Sequence, residues 1–173
     1  MALTLSGSTG IPKTGLPSGT VLQVVYAIKT DTFSTSVGTT SGGAAVTGVT
    51  ATITPQSTNS RILVLCDGVC GFTSTVSQAY LWLARGSTQI GVGTPNASAI
   101  GVGTRAYYQD AGVAAPFALS CLDSPNTTSA VTYNLYLVAQ SGGTAYINRT
   151  QNDNGTAADG HRGATRLTLM EIA

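Results

Sequence analysis

Val131-Thr132-Tyr133-Asn134-Leu135-Tyr136-Leu137-Val138-Ala139-Gln140 carries an apolar side chain at every second position. Residues two apart share one face of an extended chain, so Val131, Tyr133, Leu135, Leu137 and Ala139 read as the inward row of a long strand. The same period recurs on both sides of it. Val49-Thr50-Ala51-Thr52-Ile53-Thr54 alternates strictly and ends at Pro55. Pro116–Leu122 sets Phe117, Leu119 and Cys121 against Ala118 and Ser120, and Thr165–Ile172 puts Leu167 and Leu169 on one face. Ile62–Cys66 and Tyr80-Leu81-Trp82-Leu83 are continuous apolar runs, the pattern of strands buried on both faces. Thr20–Lys29 shows Leu22, Val24, Tyr26 and Ile28 on one face and Val21 and Val25 on the other, which predicts cover on both sides along part of its length. Gly86-Ser87 reads as a hairpin turn into Thr88-Gln89-Ile90, and Gly142-Gly143 as a turn into Thr144–Arg149.

These segments add up to eight or nine short strands with no helical periodicity between them. The expected fold is all-β: a single antiparallel β-sandwich, jelly-roll-like because eight strands suit that fold better than an immunoglobulin domain. The order Cys66…Trp82…Cys121 superficially matches the immunoglobulin pin, but 173 residues far exceed the ~100 usual for that domain. Residues 1–19, with the Leu3-Thr4-Leu5 alternation and two prolines, read as an extended arm. Residues 20–173 read as the sandwich.

Composition agrees. Charged residues make up only 9% of the chain, Thr and Ser fill about a quarter of it, Glu occurs once and Lys twice. Such a chain has few long helix formers for exposed helix faces, while its β-branched residues favour extended backbone. A hydrophobic share of 42% argues against disorder. The net charge of +1 comes from scattered basic residues, which give no footprint for nucleic acid or an anionic membrane. No apolar run reaches the 18 or more residues of a membrane span. The N-terminus lacks the basic and apolar regions of a signal peptide, so folding in a cytoplasm with no encoded route out is expected. Cys66 and Cys70 on one strand would lie about 13 Å apart at 3.3 Å per residue, too far for a disulfide, so buried free thiols are expected. Asn-x-Ser/Thr triplets starting at Asn96, Asn126, Asn148 and Asn154 are expected by chance in so Thr-rich a chain.

The candidates for chemistry are few. His161 is the only histidine and sits near Asp153 and Asp159 in a polar loop spanning 150–163. Nucleophilic catalysis needs a base held rigidly on a nucleophile, so His161 reads as a surface-loop residue. With Cys66 and Cys70 in the core it cannot complete a zinc set. Asn152-Asp153-Asn154-Gly155 offers oxygen atoms but lacks the spacing and terminal Glu of a calcium loop, and reads as a turn. Gly101-x-Gly103-x-x-Ala106 matches a relaxed dinucleotide fingerprint without the helix that gives it meaning. Ile90-Gly91-Val92-Gly93-Thr94 recurs as Ile100-Gly101-Val102-Gly103-Thr104 in a region read as loop. Tyr107-Tyr108 reads as packed strand residues, with an exposed stacking pair as the alternative. Neither catalysis nor a cofactor or metal is expected.

Several of these segments together resemble small domains of fibre-type structural proteins of tailed phages. They are Gly19-Thr20-Val21-Leu22-Gln23-Val24-Val25; Ile53-Thr54-Pro55 with Thr58-Asn59-Ser60-Arg61-Ile62-Leu63-Val64; and Arg85-Gly86-Ser87-Thr88. Tyr146-Ile147-Asn148-Arg149-Thr150, Leu167-Thr168-Leu169-Met170-Glu171-Ile172-Ala173 and the opening Met1-Ala2-Leu3-Thr4-Leu5-Ser6-Gly7-Ser8 complete the set. The resemblance implies a β-sandwich virion protein, commonly trimeric, on a tail fibre or capsid surface. The expected partners are further copies of the chain, other virion proteins and a host-surface glycan or protein. Loops at 30–45, 91–104 and 150–163 would then meet the host, and the candidate contact residues are Tyr107, Tyr108, Asn152, Asp153, Asn154, Asp159 and His161. Leu3, Leu5 and Ile11 of the arm would dock on the particle. A decoration (cement) protein on the capsid, suggested by the short chain without a shaft, is the alternative; a carbohydrate-binding or carbohydrate-active protein is a third.

Overall fold

A computed structural model describes residues 16–38, 42–73, 77–96, 100–108, 113–140, 143–153 and 160–173. These form eleven strands: β1 (Val21–Lys29), β2 (Phe33–Thr35), β3 (Ala44–Ile53), β4 (Arg61–Phe72), β5 (Ser77–Arg85), β6 (Thr88–Ile90), β7 (Thr104–Tyr108), β8 (Ala114–Asp123), β9 (Val131–Ala139), β10 (Ala145–Ile147) and β11 (Thr165–Ile172). All pairings between them are antiparallel.

The register resolves the eleven strands into eight columns. β4 pairs with β8 from Ile62 to Gly71. Its other edge therefore carries β11 against Arg61–Asp67 and, end to end with it, β10 against Cys70–Phe72. β1 continues outward from β11, and β2 from β10. The first sheet thus runs β8, β4, β11 with β10, β1 with β2. In the second sheet β5 pairs with β9 on one edge, with β7 and β6 sharing the other, and β3 lies beyond β9. Two four-column sheets in this order form the double Greek key of a jelly roll. The all-β sandwich expected from the sequence is therefore present, with the eight columns cut into eleven strands.

Two strands go beyond the sequence reading. β2 lies in the stretch 30–45 that was expected to be loop, and β7 begins at the end of the second Ile-Gly-Val-Gly-Thr copy. β3 also starts earlier than the alternation suggested, at Ala44, and β4 continues through Gly68 to Phe72. Cys66 and Cys70 share β4 and are both buried free thiols, as expected; Cys121 is half-buried. The two Ile-Gly-Val-Gly-Thr copies lie against each other, with the Gly93 N–H donating to the Val102 carbonyl at 3.4 Å.

The core is made by the inward rows that the alternation marked. Tyr133, Leu135 and Leu137 of β9 meet Ile62 and Val64 of β4, Leu81 and Leu83 of β5, and Leu167 and Leu169 of β11. Each large aliphatic or aromatic side chain fully buried here contributes roughly 1.5–3 kcal/mol relative to exposure. Polar ties close the sandwich. Arg85 of β5 donates to both Asp123 carboxylate oxygens, at 3.2 and 3.0 Å, and Tyr133 donates its hydroxyl to Asp123 at 2.7 Å, which joins the two sheets at one end. Burial first, and then that hydrogen bond to Asp123, push the Tyr133 hydroxyl well above the ordinary tyrosine range.

One expectation is corrected. β1 is covered on its inner face only: Val25 and Ala27 pack on the core, while Val24, Tyr26 and Ile28 stand exposed on the outer face of the first sheet. The cause is position, because β1 forms an edge column of a two-layer sandwich and, among the described residues, no third layer covers its back.

Candidate functional site

The strand ends give the molecule two unlike poles. At one, β4 closes at Phe72 beside the starts of β10 and β8 and the end of β2, while β5 begins at Ser77 beside Tyr108, the end of β7. The connections 36–43, 73–76, 109–113 and 140–144 all leave from this pole. At the other pole the chain enters. The Gly19 N–H donates to the Ala173 carbonyl at 3.1 Å and the Ala173 N–H to the Thr20 carbonyl at 2.9 Å, extending the β1–β11 ladder to its end. The Gly86-Ser87 hairpin sits at this second pole, as the sequence predicted, with Gly86 at a φ of 58° as the first residue of a two-residue turn requires.

Of the proposed contact residues, Tyr107 and Tyr108 end β7, where their backbones pair with Gln78 and Ser77 at the four-connection pole. Asn152, Asp153 and His161 stand elsewhere, on the connection that leaves the first sheet where β10 gives way to β11. The sequence had grouped these residues as contact loops; the topology sets them on two different sheets. Asn154 and Asp159 lie outside the described residues, as do Leu3, Leu5 and Ile11 of the arm.

The base of that connection is a built structure. Asp153, with its side chain only 14% exposed, accepts from Arg162 at 2.7 Å and from Arg149 at 3.2 Å. Arg149 in turn lies over the Tyr146 ring, 4.1 Å from its centroid. Arg162, and secondarily Arg149, hold the Asp153 carboxyl below the usual carboxylate range. An acceptor-only carboxylate clamped by two guanidinium groups is committed to pairing, and His161 beside it is exposed. The arrangement closes a loop and orients no nucleophile. Among the described residues no group of three or more His, Cys, Asp or Glu is placed to hold a metal ion.

Beneath the clamp lies Asn148, which sequence reading had treated as the start of a chance Asn-x-Thr triplet. It is fully buried at a φ of 64°. Its amide donates to the carbonyls of Lys29 at 2.8 Å and Asp31 at 2.9 Å, and its side-chain oxygen accepts from the Thr165 hydroxyl at 2.7 Å. One side chain thus joins the β1–β2 break to the start of β11. Glu171, the only glutamate, is likewise fully buried. It accepts from the Gln23 amide at 2.5 Å and the Gln56 N–H at 2.7 Å, fastening the last strand to β1 and to the turn after β3.

The outer faces of the two sheets differ. That of the second sheet carries polar ties: the Thr52 and Thr132 hydroxyls are bonded at 2.8 Å, and Gln78 accepts from Tyr80 and Arg105. Trp82, stacked on Tyr136 at 6.0 Å, is buried there. The first sheet's outer face is largely apolar, in three rows that cross all four columns: Val24–Met170–Leu63–Leu122, Tyr26–Thr168–Leu65–Ser120 and Ile28–Arg166–Asp67–Ala118. No helix is long and apolar enough to cross a membrane among the described residues.

No protein-family model and no curated protein matches the chain. Among solved structures, the chain is similar to one described as the structure of infectious bursal disease virus Gx strain, at 15% identity and a TM-score of 0.43, over 100% of this chain and 41% of that one. It is similar also to the infectious bursal disease virus VP2 subviral particle, at 14% identity and a TM-score of 0.39, over 100% of this chain and 42% of the other. The chain therefore spans about two fifths of the length of the structures it matches.

Proposed function

We propose that the chain is a non-enzymatic structural protein on the surface of a tailed-phage particle, a homotrimeric tail-fibre or appendage component that presents loops to a host-surface glycan or protein. One observation carries this reading: the chain enters at one pole, and the strand ends that open onto four connections, with the Tyr107-Tyr108 end of β7, lie at the other. A domain held to a particle by an N-terminal arm, with Leu3, Leu5 and Ile11 in the grip, would then point those connections outward. The motifs behind the phage resemblance fit a shared framework. Arg85-Gly86-Ser87-Thr88 is the β5–β6 turn, and Tyr146-Ile147-Asn148 includes the buried asparagine that holds the strand break. Jelly rolls also serve as capsid and lectin domains, so the fold alone does not name the partner.

The apolar outer face of the first sheet favours a second reading, a capsid decoration protein, because copies packed side by side would bury such a face. Gold-labelled antibody on intact particles separates the two. Label confined to the tail at a few copies, with purified protein that binds host cells, is the expected result. Label studding the head overturns the fibre reading, and label absent from particles overturns both.

A further inference from the structure

We propose that the outer face of the first sheet binds the same face of a second copy of this chain about a two-fold axis. The inference concerns a face rather than the two poles, so it stands whether or not the host-recognition reading holds.

The face is open and apolar where a lone domain would be polar. Val24, Tyr26, Ile28 and Leu122 are each between 47% and 56% exposed. Four columns about 4.8 Å apart and three rows about 6.6 Å apart make a face of roughly 400 Å². A patch of that size is typical of functional surfaces and about half the area each partner gives to a standard stable interface.

The rows identify the occupant. Take an axis in the contact plane, along the strands and midway between β11 and β4. It carries β1 of one copy over β8 of the other, and β11 over β4. Large residues then meet small ones, Tyr26 over the copy's Ser120 and Ile28 over its Ala118, while Val24 meets Leu122 and Met170 meets Leu63. The small β8 residues leave room for this, since a depression of about 220 Å³ is lined by Leu65, Cys66, Asp67, Ala118, Leu119 and Ser120. Charge follows the same operation. Arg166 and Asp67 are paired at 3.0 Å within one chain and are each about half exposed, at 49% and 54%. The axis sets Arg166 over the copy's Asp67, and Asp67 over its Arg166, giving four alternating charges on either side of the axis in the last of the three rows. A face that is self-complementary in both size and charge fits a second copy of itself.

Mass measurement by light scattering and native mass spectrometry on the full chain tests this. Wild type at tens of micromolar is expected to contain an even number of chains: two, or six if a three-fold contact exists elsewhere. Asp67→Arg and Arg166→Asp, each alone, bring like charges together and should weaken association at least tenfold, halving the mass. Mixing the two variants should restore association as mixed pairs, because a chain with arginine at both positions then faces a chain with aspartate at both. A fold defect cannot produce that rescue. Wild type with an odd number of chains, masses unchanged by either substitution, or a mixture that stays dissociated would overturn the proposal. A chain number that is not a multiple of three counts only against the trimer of the fibre reading.

Discussion

Asn148 shows how much one residue can hold. Its left-handed backbone suits asparagine better than most side chains, and its amide satisfies two carbonyls and a hydroxyl away from water. Asn148→Ala leaves those partners unpaired and puts alanine in a conformation that asparagine tolerates better, so a loss of about 4 kcal/mol is expected, roughly 10 °C in Tm. Asn148→Gly relieves only the backbone and should recover about 1 kcal/mol of that. A thermal melt of Asn148→Ala within about 1 kcal/mol of wild type would show that water replaces the amide. Asp153 is a pH-dependent tie. Its folded-state pKa lies below the unfolded value, so its contribution is fully present above about pH 4 and is lost as pH falls through the folded pKa. The Tm gap between wild type and Asp153→Asn should be constant from about pH 7 to 5 and should close below about pH 4. A gap that does not narrow at all as pH falls below about 4 would mean that geometry, and not charge, makes the clamp. Cys66 marks the opposite case, a thiol pushed up to about 12 by burial and by Asp67 beside it, and so inert at neutral pH.

At the scale of elements, legibility followed burial. β9 and β11 alternate because one face meets the core and the other does not, and their inward rows were readable from Val131 and Leu167 onward. β2 was missed, and β7 was read only at Tyr107-Tyr108, because their positions come from partners distant in sequence. Phe33–Thr35 extends because Ala145–Ile147 lies beside it, and Thr104–Tyr108 because β5 offers an open edge. Gly68 does not interrupt β4, which runs straight through it and keeps register with β8. The glycines of β4 serve close approach instead: a Cβ on Gly71 would stand 2.3 Å from the Arg149 carbonyl oxygen, where the chain leaves β10. The double apolar pattern of β1 was read as two-sided cover, because a sequence records that a face is apolar and not whether its cover comes from the same chain. Of the candidate site, the hairpin turn and the polar character of the 150–163 stretch were legible. The Asn148 and Glu171 ties were not, since a buried polar residue announces itself only through the carbonyls and amides that fold around it.

In the whole molecule the first and last strands are neighbours. β1 pairs with β11 from Val21↔Ile172 to Lys29↔Thr165, and β11 stands between β1 and β4. The first sheet cannot be completed until the end of the chain is in place, which makes the fold dependent on contacts very distant in sequence. Deleting residues 169–173 tests how far this cooperativity reaches. The deletion removes Leu169 from the core, the Glu171 ties to Gln23 and Gln56, and the Ala173 bonds to Gly19 and Thr20. It also strips the ladder from both β1 and β4. Loss of a buried Leu alone costs about 2–5 kcal/mol, and the opened edges add to it, against a total stability of roughly 5–15 kcal/mol for a domain. The shortened chain should therefore show no cooperative thermal transition and should be cut throughout by protease at about 25 °C. If it melts cooperatively instead, with the second sheet protected from hydrogen exchange, then the β3–β9–β5 layer folds independently and the jelly roll closes onto a preformed half.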